Sequence, residues 1–150
     1  MLVHPASPED AAAIGELLDA LNREFGEPTP GAPWLANRIV ELLAQDTLVL
    51  LAGSGPDGLA VLRFRPGIWS AALECYLAEL YIKPELRGRG IGRELMQAVL
   101  IAARERGADH IDLGTSEDDM AARALYESLG FVNRERSPDG PLTYFYEREL

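Results

Sequence analysis

The stretch that most limits what this chain can fold into runs from Leu77 to Gly92. An apolar run, Leu77 to Ile82, is stopped by Lys83-Pro84. Arg87-Gly88-Arg89-Gly90-Ile91-Gly92 follows and opens an amphipathic segment with Ile91, Leu95, Ala98, Val99, Ala102 and Ala103 on one face. Strand, glycine turn, helix is the order of an anion-binding turn. Backbone N–H groups converge there, and the helix N-terminus adds partial positive charge. Between residues 83 and 93 the cations Lys83, Arg87, Arg89 and Arg93 face the single acid Glu85, in a chain of formal net charge −10. Positive charge gathered at one glycine turn of an acidic protein points to an anionic ligand.

The flanking pattern is α/β. Leu2–His4 reads as a first strand. Ser7-Pro8-Glu9-Asp10 is a helix start, with Ser7 as cap and Pro8 at the first helical position. Ile14, Leu17, Leu18, Leu21 and Phe25 then recur at helical spacing. Gly26–Pro33 breaks that helix, and a second carries Leu35, Ile39, Leu42 and Leu43. Thr47–Ala52 and Leu59–Arg65 form a hairpin around residues 53–58, and a longer strand covers residues 71–82. Asp109–Gly114 is a further strand. Ser116 and Asp119 resemble a capping box ahead of a short helix, Met120–Leu129. Phe131–Arg136 and Leu142–Glu149 read as two last strands around Ser137-Pro138-Asp139-Gly140. The 150 residues fit a single domain, 1–150, with a mixed, mostly antiparallel sheet of about seven strands and about four helices.

Composition narrows the function classes. The acidic balance argues against nucleic-acid binding. No run of about 18 apolar residues is present, so no membrane span is expected. Cys75 is the only cysteine, which excludes an internal disulfide and a cysteine-based metal site and fits a cytoplasmic setting. Cys75 lies in an apolar strand and reads as buried and structural. His4 and His110 read as structural strand residues, and no metal is expected.

Two separated motifs carry a family resemblance. One is Glu79-Leu80-Tyr81-Ile82-Lys83-Pro84-Glu85-Leu86-Arg87-Gly88-Arg89-Gly90-Ile91-Gly92. The other is Ala122-Arg123-Ala124-Leu125-Tyr126-Glu127-Ser128-Leu129-Gly130-Phe131. Together they resemble the GCN5-related N-acetyltransferase superfamily. Arg87, Gly90 and Gly92 match its acetyl-CoA signature, and Tyr126, Gly130 and Phe131 match its second. A Rossmann site would need its glycines near the first strand, and a Walker loop would need Gly-Lys-Ser/Thr; neither pattern is present.

The resemblance implies acetyl-CoA as co-substrate. Backbone N–H groups from Arg87 through Gly88, Arg89, Gly90 and Ile91 to Gly92 would hold its pyrophosphate, with charge from Arg87 and Arg89. The pantetheine arm would pair with the strand at Leu80, Tyr81 and Ile82. Tyr126 would protonate the departing thiolate, and Glu79 would act as base on the amine through water. Glu79 is expected to share a strand face with Cys75, Leu77 and Tyr81. Tyr126 is expected off the Leu125–Leu129 apolar stripe of its helix. Asp119 stands where many members carry asparagine; it can cap the helix, and its contact with the pantetheine arm is open.

The resemblance implies a small-molecule primary amine as acceptor, bound by direct attack in a ternary complex. Trp34, Arg38, Tyr76, Glu79 and Tyr144 are candidate acceptor residues; Trp34 and Trp69 read equally as core or dimer anchors. A protein or peptide N-alpha or lysine acetyltransferase is the alternative, as is a non-catalytic acyl-CoA-binding regulatory module. A homodimer is an expectation of the resemblance, which composition does not show.

Overall fold

Ser7 starts the first helical turn, as its place before Pro8 predicts, and its N–H donates to Asp10 Oδ2 at 2.9 Å. In the computed structural model, which describes residues 2–150, this box closes a single 3-10 turn, Pro8–Asp10, that leads into the helix proper. The element order is β1 (Val3–Pro5), α1 (Ala11–Glu24), α2 (Ala32–Leu43), β2 (Thr47–Ala52), β3 (Gly58–Pro66), β4 (Leu73–Ile82), α3 (Ile91–Glu105), β5 (Ala108–Asp112) and α4 (Met120–Ser128). A second 3-10 turn, Pro84–Leu86, joins β4 to the glycine turn.

Residue contacts divide the chain into a first unit, up to Leu113, and a second, Gly114–Leu150. The first holds a five-stranded mixed sheet in the order β1-β2-β3-β4-β5, antiparallel except for the parallel β4–β5 pair. Its core follows from the pleat, because alternate residues face opposite sides. Val49 and Leu51 of β2, with Leu59 and Val61 of β3, meet Ile14 and Leu17 of α1 and Ile39 of α2. The opposite face of the sheet carries α3, which packs on β2 to β5 through the buried Leu95, Met96 and Val99. The apolar stripe of α1 stops at Leu21: Phe25, at the helix end, is 61% exposed. No helix among the described residues is long and apolar enough to cross a membrane.

Helices α1 and α2 approach closely because Gly15 has no side chain. A Cβ there would sit 2.4 Å from the Ala32 carbonyl oxygen and 2.9 Å from the Ala36 nitrogen. Backbone cannot yield cheaply, so Gly15→Ala is expected to destabilise the fold by about 1–3 kcal/mol. Urea unfolding reads this as a lower midpoint at unchanged slope.

The second unit corrects the expectation of two final strands. Phe131–Arg136 and Leu142–Glu149 form no strands; a single bridge, Arg134 to Leu142, joins them. Its bonds run from the Glu135 N–H to the Pro141 oxygen at 2.9 Å and from the Thr143 N–H to the Asn133 oxygen at 2.8 Å. Two causes are visible. Arg136 adopts φ 67°, a left-handed conformation that ends the extended run. Pro138 and Pro141 offer no N–H to a ladder. The sheet therefore has five strands rather than about seven. The α4 cap also differs from expectation. Asp119 is itself the N-cap, its Oδ1 accepting from the Ala122 N–H at 3.1 Å, whereas the Ser116 hydroxyl donates to Asp118.

Candidate active site

Parallel pairing of β4 with β5 runs only from Leu73 to Tyr76. Among the described residues, β4 from Leu77 to Ile82 is paired on the β3 side alone. The outer edge of this stretch offers backbone donors and acceptors to an added extended chain. It contains Leu80, Tyr81 and Ile82, the residues expected to meet a pantetheine arm.

The strand leads into the glycine turn. Gly88 and Gly90 take φ 77° and 84°, and Gly90 is the N-cap of α3 with no side-chain cap on the helix. The N–H groups of residues 88–92 donate to no acceptor among the described residues. A helix N-terminus with bare donors and a partial positive charge is suited to an anion. A Cβ at Gly88 or Gly90 would meet nothing within 4 Å, so the space over the turn is open.

Arg87 differs from its expected use as free charge. Its Nη1 and Nη2 donate to the two carboxylate oxygens of Glu24, at 2.7 and 2.9 Å, and its Nε donates to the Ile82 carbonyl at 3.0 Å. Tyr81 donates its hydroxyl to Glu24 Oε1 at 3.1 Å, and the guanidinium lies 5.4 Å from the Tyr81 ring centre. Arg87 holds the Glu24 carboxyl below its usual range. Arg89 is more loosely held, its Nη2 lying 3.4 Å from the Glu85 carbonyl.

The face expected for Glu79 is corrected by a bulge. Val61 pairs with Glu79, but the next residue, Leu62, pairs with Leu77, so Ala78 is the extra residue of β4. The bulge reverses the alternation. Glu79 and Tyr81 share the α1–α2 face with Tyr76, whereas Cys75 and Leu77 turn to the other side. Cys75 is buried, and burial pushes its thiol up to about 11, which keeps it protonated and unreactive at neutral pH.

Glu79 borders an open cavity of about 200 Å³ lined by α1, α2 and the sheet. Leu18, Leu21, Leu35, Ile39 and Leu42 supply apolar walls, and Asn22 and Arg63 supply polar ones. Burial raises the Glu79 carboxyl above its ordinary value, and it has no hydrogen-bond or ion-pair partner among the described residues. The arginines nearby serve other acids: Arg63 pairs with Asp46 and Arg65 with Glu74. A raised folded-state value means that the folded protein holds this proton more tightly than the unfolded chain. Stability from this group therefore falls as pH rises from the ordinary carboxylate range through the raised value. Glu79→Gln is expected to raise the thermal midpoint at pH 7 by about 2–4 °C. The gain should vanish near pH 4, as scanning calorimetry at the two pH values would show.

Most of the candidate acceptor residues lie elsewhere. Trp34 is 55% exposed on α2, and Arg38 pairs with Glu41 at 3.1 Å; neither lines the cavity. Tyr76 lines a neighbouring hollow with Asp46, Arg63, Arg65, Glu74 and Asp112. Trp69 is 94% exposed, which removes it from the core. Of the five, only Glu79 borders the apolar cavity. Asn22 and Arg63 were missed because one reads as a polar helix position and the other as a solvated strand residue. His110 lies 3.3 Å from Asp112, and His4 Nδ1 is buried with no partner among the described residues.

Asp119, Tyr126 and Tyr144 belong to the second unit. Tyr126 is the most buried residue of α4, 9% exposed. Its ring meets Phe131 edge to face, with centres 5.9 Å apart. Burial, then the charge of Asp119, pushes the phenol up to about 12. The group stays protonated across the neutral range and is able to donate. Tyr144 is exposed and packs edge to face on Tyr146.

These features meet their counterparts in known proteins. The acetyltransferase (GNAT) family matches residues 15–131, and the chain belongs to that family. The crystal structure of an acetyltransferase candidate from Arthrobacter sp. FB24 superposes with a TM-score of 0.89 at 42% identity, covering 100% of this chain and 96% of that one. Aminoglycoside N(6')-acetyltransferase type 1 of Stenotrophomonas maltophilia is 27% identical over 138 residues, 89% of this chain and 88% of that protein. N-alpha-acetyltransferase 30 of Schizosaccharomyces pombe is 45% identical over 64 residues, 43% of each chain. The chain spans less than half the length of this last relative and of two mycothiol acetyltransferases that it also matches.

Proposed function

We infer that the protein is an acetyl-CoA-dependent N-acetyltransferase that acts on a primary amine of a small molecule. The observation that carries this is the run from β4 into α3. A strand loses its outer partner after Tyr76 and ends at a turn whose N–H groups, residues 88–92, have no acceptor among the described residues. In this reading the pyrophosphate of acetyl-CoA sits on residues 87–92 and its pantetheine arm lies along Leu80, Tyr81 and Ile82. A backbone N–H near Ile82 polarises the thioester carbonyl. Residues 1–150 form one catalytic domain, supported by a family match that runs from 15 to 131 and so spans both units.

Glu79 is the base. An acid whose value burial raises, bordering a largely apolar cavity and in no ion pair with the Arg63 that also lines it, is suited to accept a proton. The neutral amine attacks the thioester carbon, its proton leaves by way of water to Glu79, and collapse of the tetrahedral species expels the thiolate. Tyr126 gives that thiolate its proton, and Asp119 caps the helix that carries the tyrosine. The cavity's aliphatic walls suit an acceptor whose amine is attached to an apolar body. A peptide α-amine is the second reading, favoured by the likeness to N-alpha-acetyltransferase 30. A purely acyl-CoA-binding module is disfavoured by the partly buried carboxylate of Glu79, which has no partner among the described residues. A cytoplasmic setting and a homodimer belong to the same reading.

The direct test follows thiol release from acetyl-CoA across a panel of primary amines and short peptides. Turnover with an amine of apolar body supports the reading; preference for peptides moves it to the second. With any active acceptor, Glu79→Gln should lower kcat/KM by about 10–100-fold at pH 7. A base must be ionised, so the loss should appear as a flattened acidic limb of the rate–pH profile. An unchanged limb would remove Glu79 from proton transfer.

A further inference from the structure

Glu24 occupies the last turn of α1, where the helix dipole disfavours a negative charge. The local sequence thus gives no reason for an acid there; its partners do. The carboxylate accepts Arg87 Nη1 at 2.7 Å, Arg87 Nη2 at 2.9 Å and the Tyr81 hydroxyl at 3.1 Å. Arg87 Nε is bound to the Ile82 carbonyl at 3.0 Å, and its guanidinium lies over the Tyr81 ring. Arg87 is the first residue of the turn, and these bonds fix it from three directions. The two-pronged contact with carboxylate is the geometry in which a guanidinium is most rigidly held.

Two consequences follow. The Arg87 side chain is committed to the protein, so the open donors of the turn are backbone N–H groups. The turn is also tied to α1, the helix that lines the apolar cavity with Leu18, Leu21 and Asn22. We propose that Glu24 is a positioning residue: through Arg87 it holds residues 87–92 in the open, anion-ready arrangement and links that turn to the acceptor-side helix. This rests on the reading of the turn as the acetyl-CoA site. Glu24 itself touches no substrate. A turn left unanchored would sample other arrangements, and binding would be weaker by the fraction of time it is misplaced.

The test is calorimetric titration of acetyl-CoA into the wild type and into Glu24→Gln, Arg87→Gln and the double variant. Glu24→Gln should raise Kd about tenfold, within the range of couplings between linked sites. The thermal midpoint without ligand should stay within about 3 °C of wild type, since a single partly exposed ion pair contributes little to global stability. The double variant should bind no more weakly than Arg87→Gln alone, because Glu24 acts through Arg87. Glu24→Asp, which keeps the charge but shortens the reach, should show a smaller loss, and it serves if Glu24→Gln does not fold. A Kd within twofold of wild type overturns the proposal. So does a loss that multiplies with that of Arg87→Gln, or a large fall in the ligand-free midpoint. Failure of the wild type itself to bind acetyl-CoA overturns the reading of the turn and this proposal with it.

Discussion

Gly90→Val is expected to weaken acetyl-CoA binding by at least about 100-fold, which corresponds to about 2.7 kcal/mol. Two effects add. Gly90 adopts φ 84°, and a β-branched side chain in that left-handed conformation costs about 1–2 kcal/mol of strain. The backbone would relax by turning its N–H groups away from their shared direction. The second effect is steric. The space over Gly90 is open, with nothing within 4 Å of a Cβ, and a valine would fill the volume that a pyrophosphate needs. Gly90→Ala keeps most of the strain and little of the bulk and should lie between. Calorimetry gives Kd for each variant. Wild-type affinity in Gly90→Val would take the turn out of the binding site.

Tyr126→Phe is expected to lower kcat by about 100-fold or more, the usual contribution of a placed general acid, with little change in Kd for acetyl-CoA. The phenol is pushed up to about 12, so it is protonated at every pH at which the enzyme would be assayed. Phenylalanine keeps the ring and its edge-to-face contact with Phe131, so folding and packing should survive. A thiol-release assay with a fixed acceptor separates the terms. Unchanged kcat would leave Tyr126 as a packing residue of α4.

The first unit was largely legible because its elements are locally determined. Thr47–Ala52 is a strand with the predicted bounds, and the Ser7-Pro8 start, the Leu35–Leu43 stripe and the 91–103 stripe each gave a helix, the second beginning at Ala32 inside the expected break. The glycine turn was legible for the same reason: its conformation depends on residues that adopt positive φ. What failed depended on longer-range or two-way choices. The bulge at Ala78 reversed the side on which Glu79 lies, and one residue of slip does that to any strand. A trace of it was present, since Cys75, Leu77, Leu80 and Ile82 break step between 77 and 80. The last hairpin was over-read. Leu142, Tyr144, Phe145 and Tyr146 are apolar without a clean alternation, which names no buried face, and Arg136 turned left-handed. The Arg87–Glu24 pair joins residues 63 positions apart, and no local pattern foretells it. The cavity escaped notice because Leu18, Leu21, Leu35 and Leu42 read as ordinary core.

The central claim is that this chain binds acetyl-CoA at the 87–92 turn and uses it. The most direct measurement is calorimetric titration of acetyl-CoA into the purified wild-type protein, paired with its thermal midpoint at saturating ligand. The account predicts binding with Kd on the order of micromolar, and a midpoint raised in step with ligand excess over Kd. No heat and no thermal shift at about millimolar acetyl-CoA, a level far above such a Kd, would contradict it.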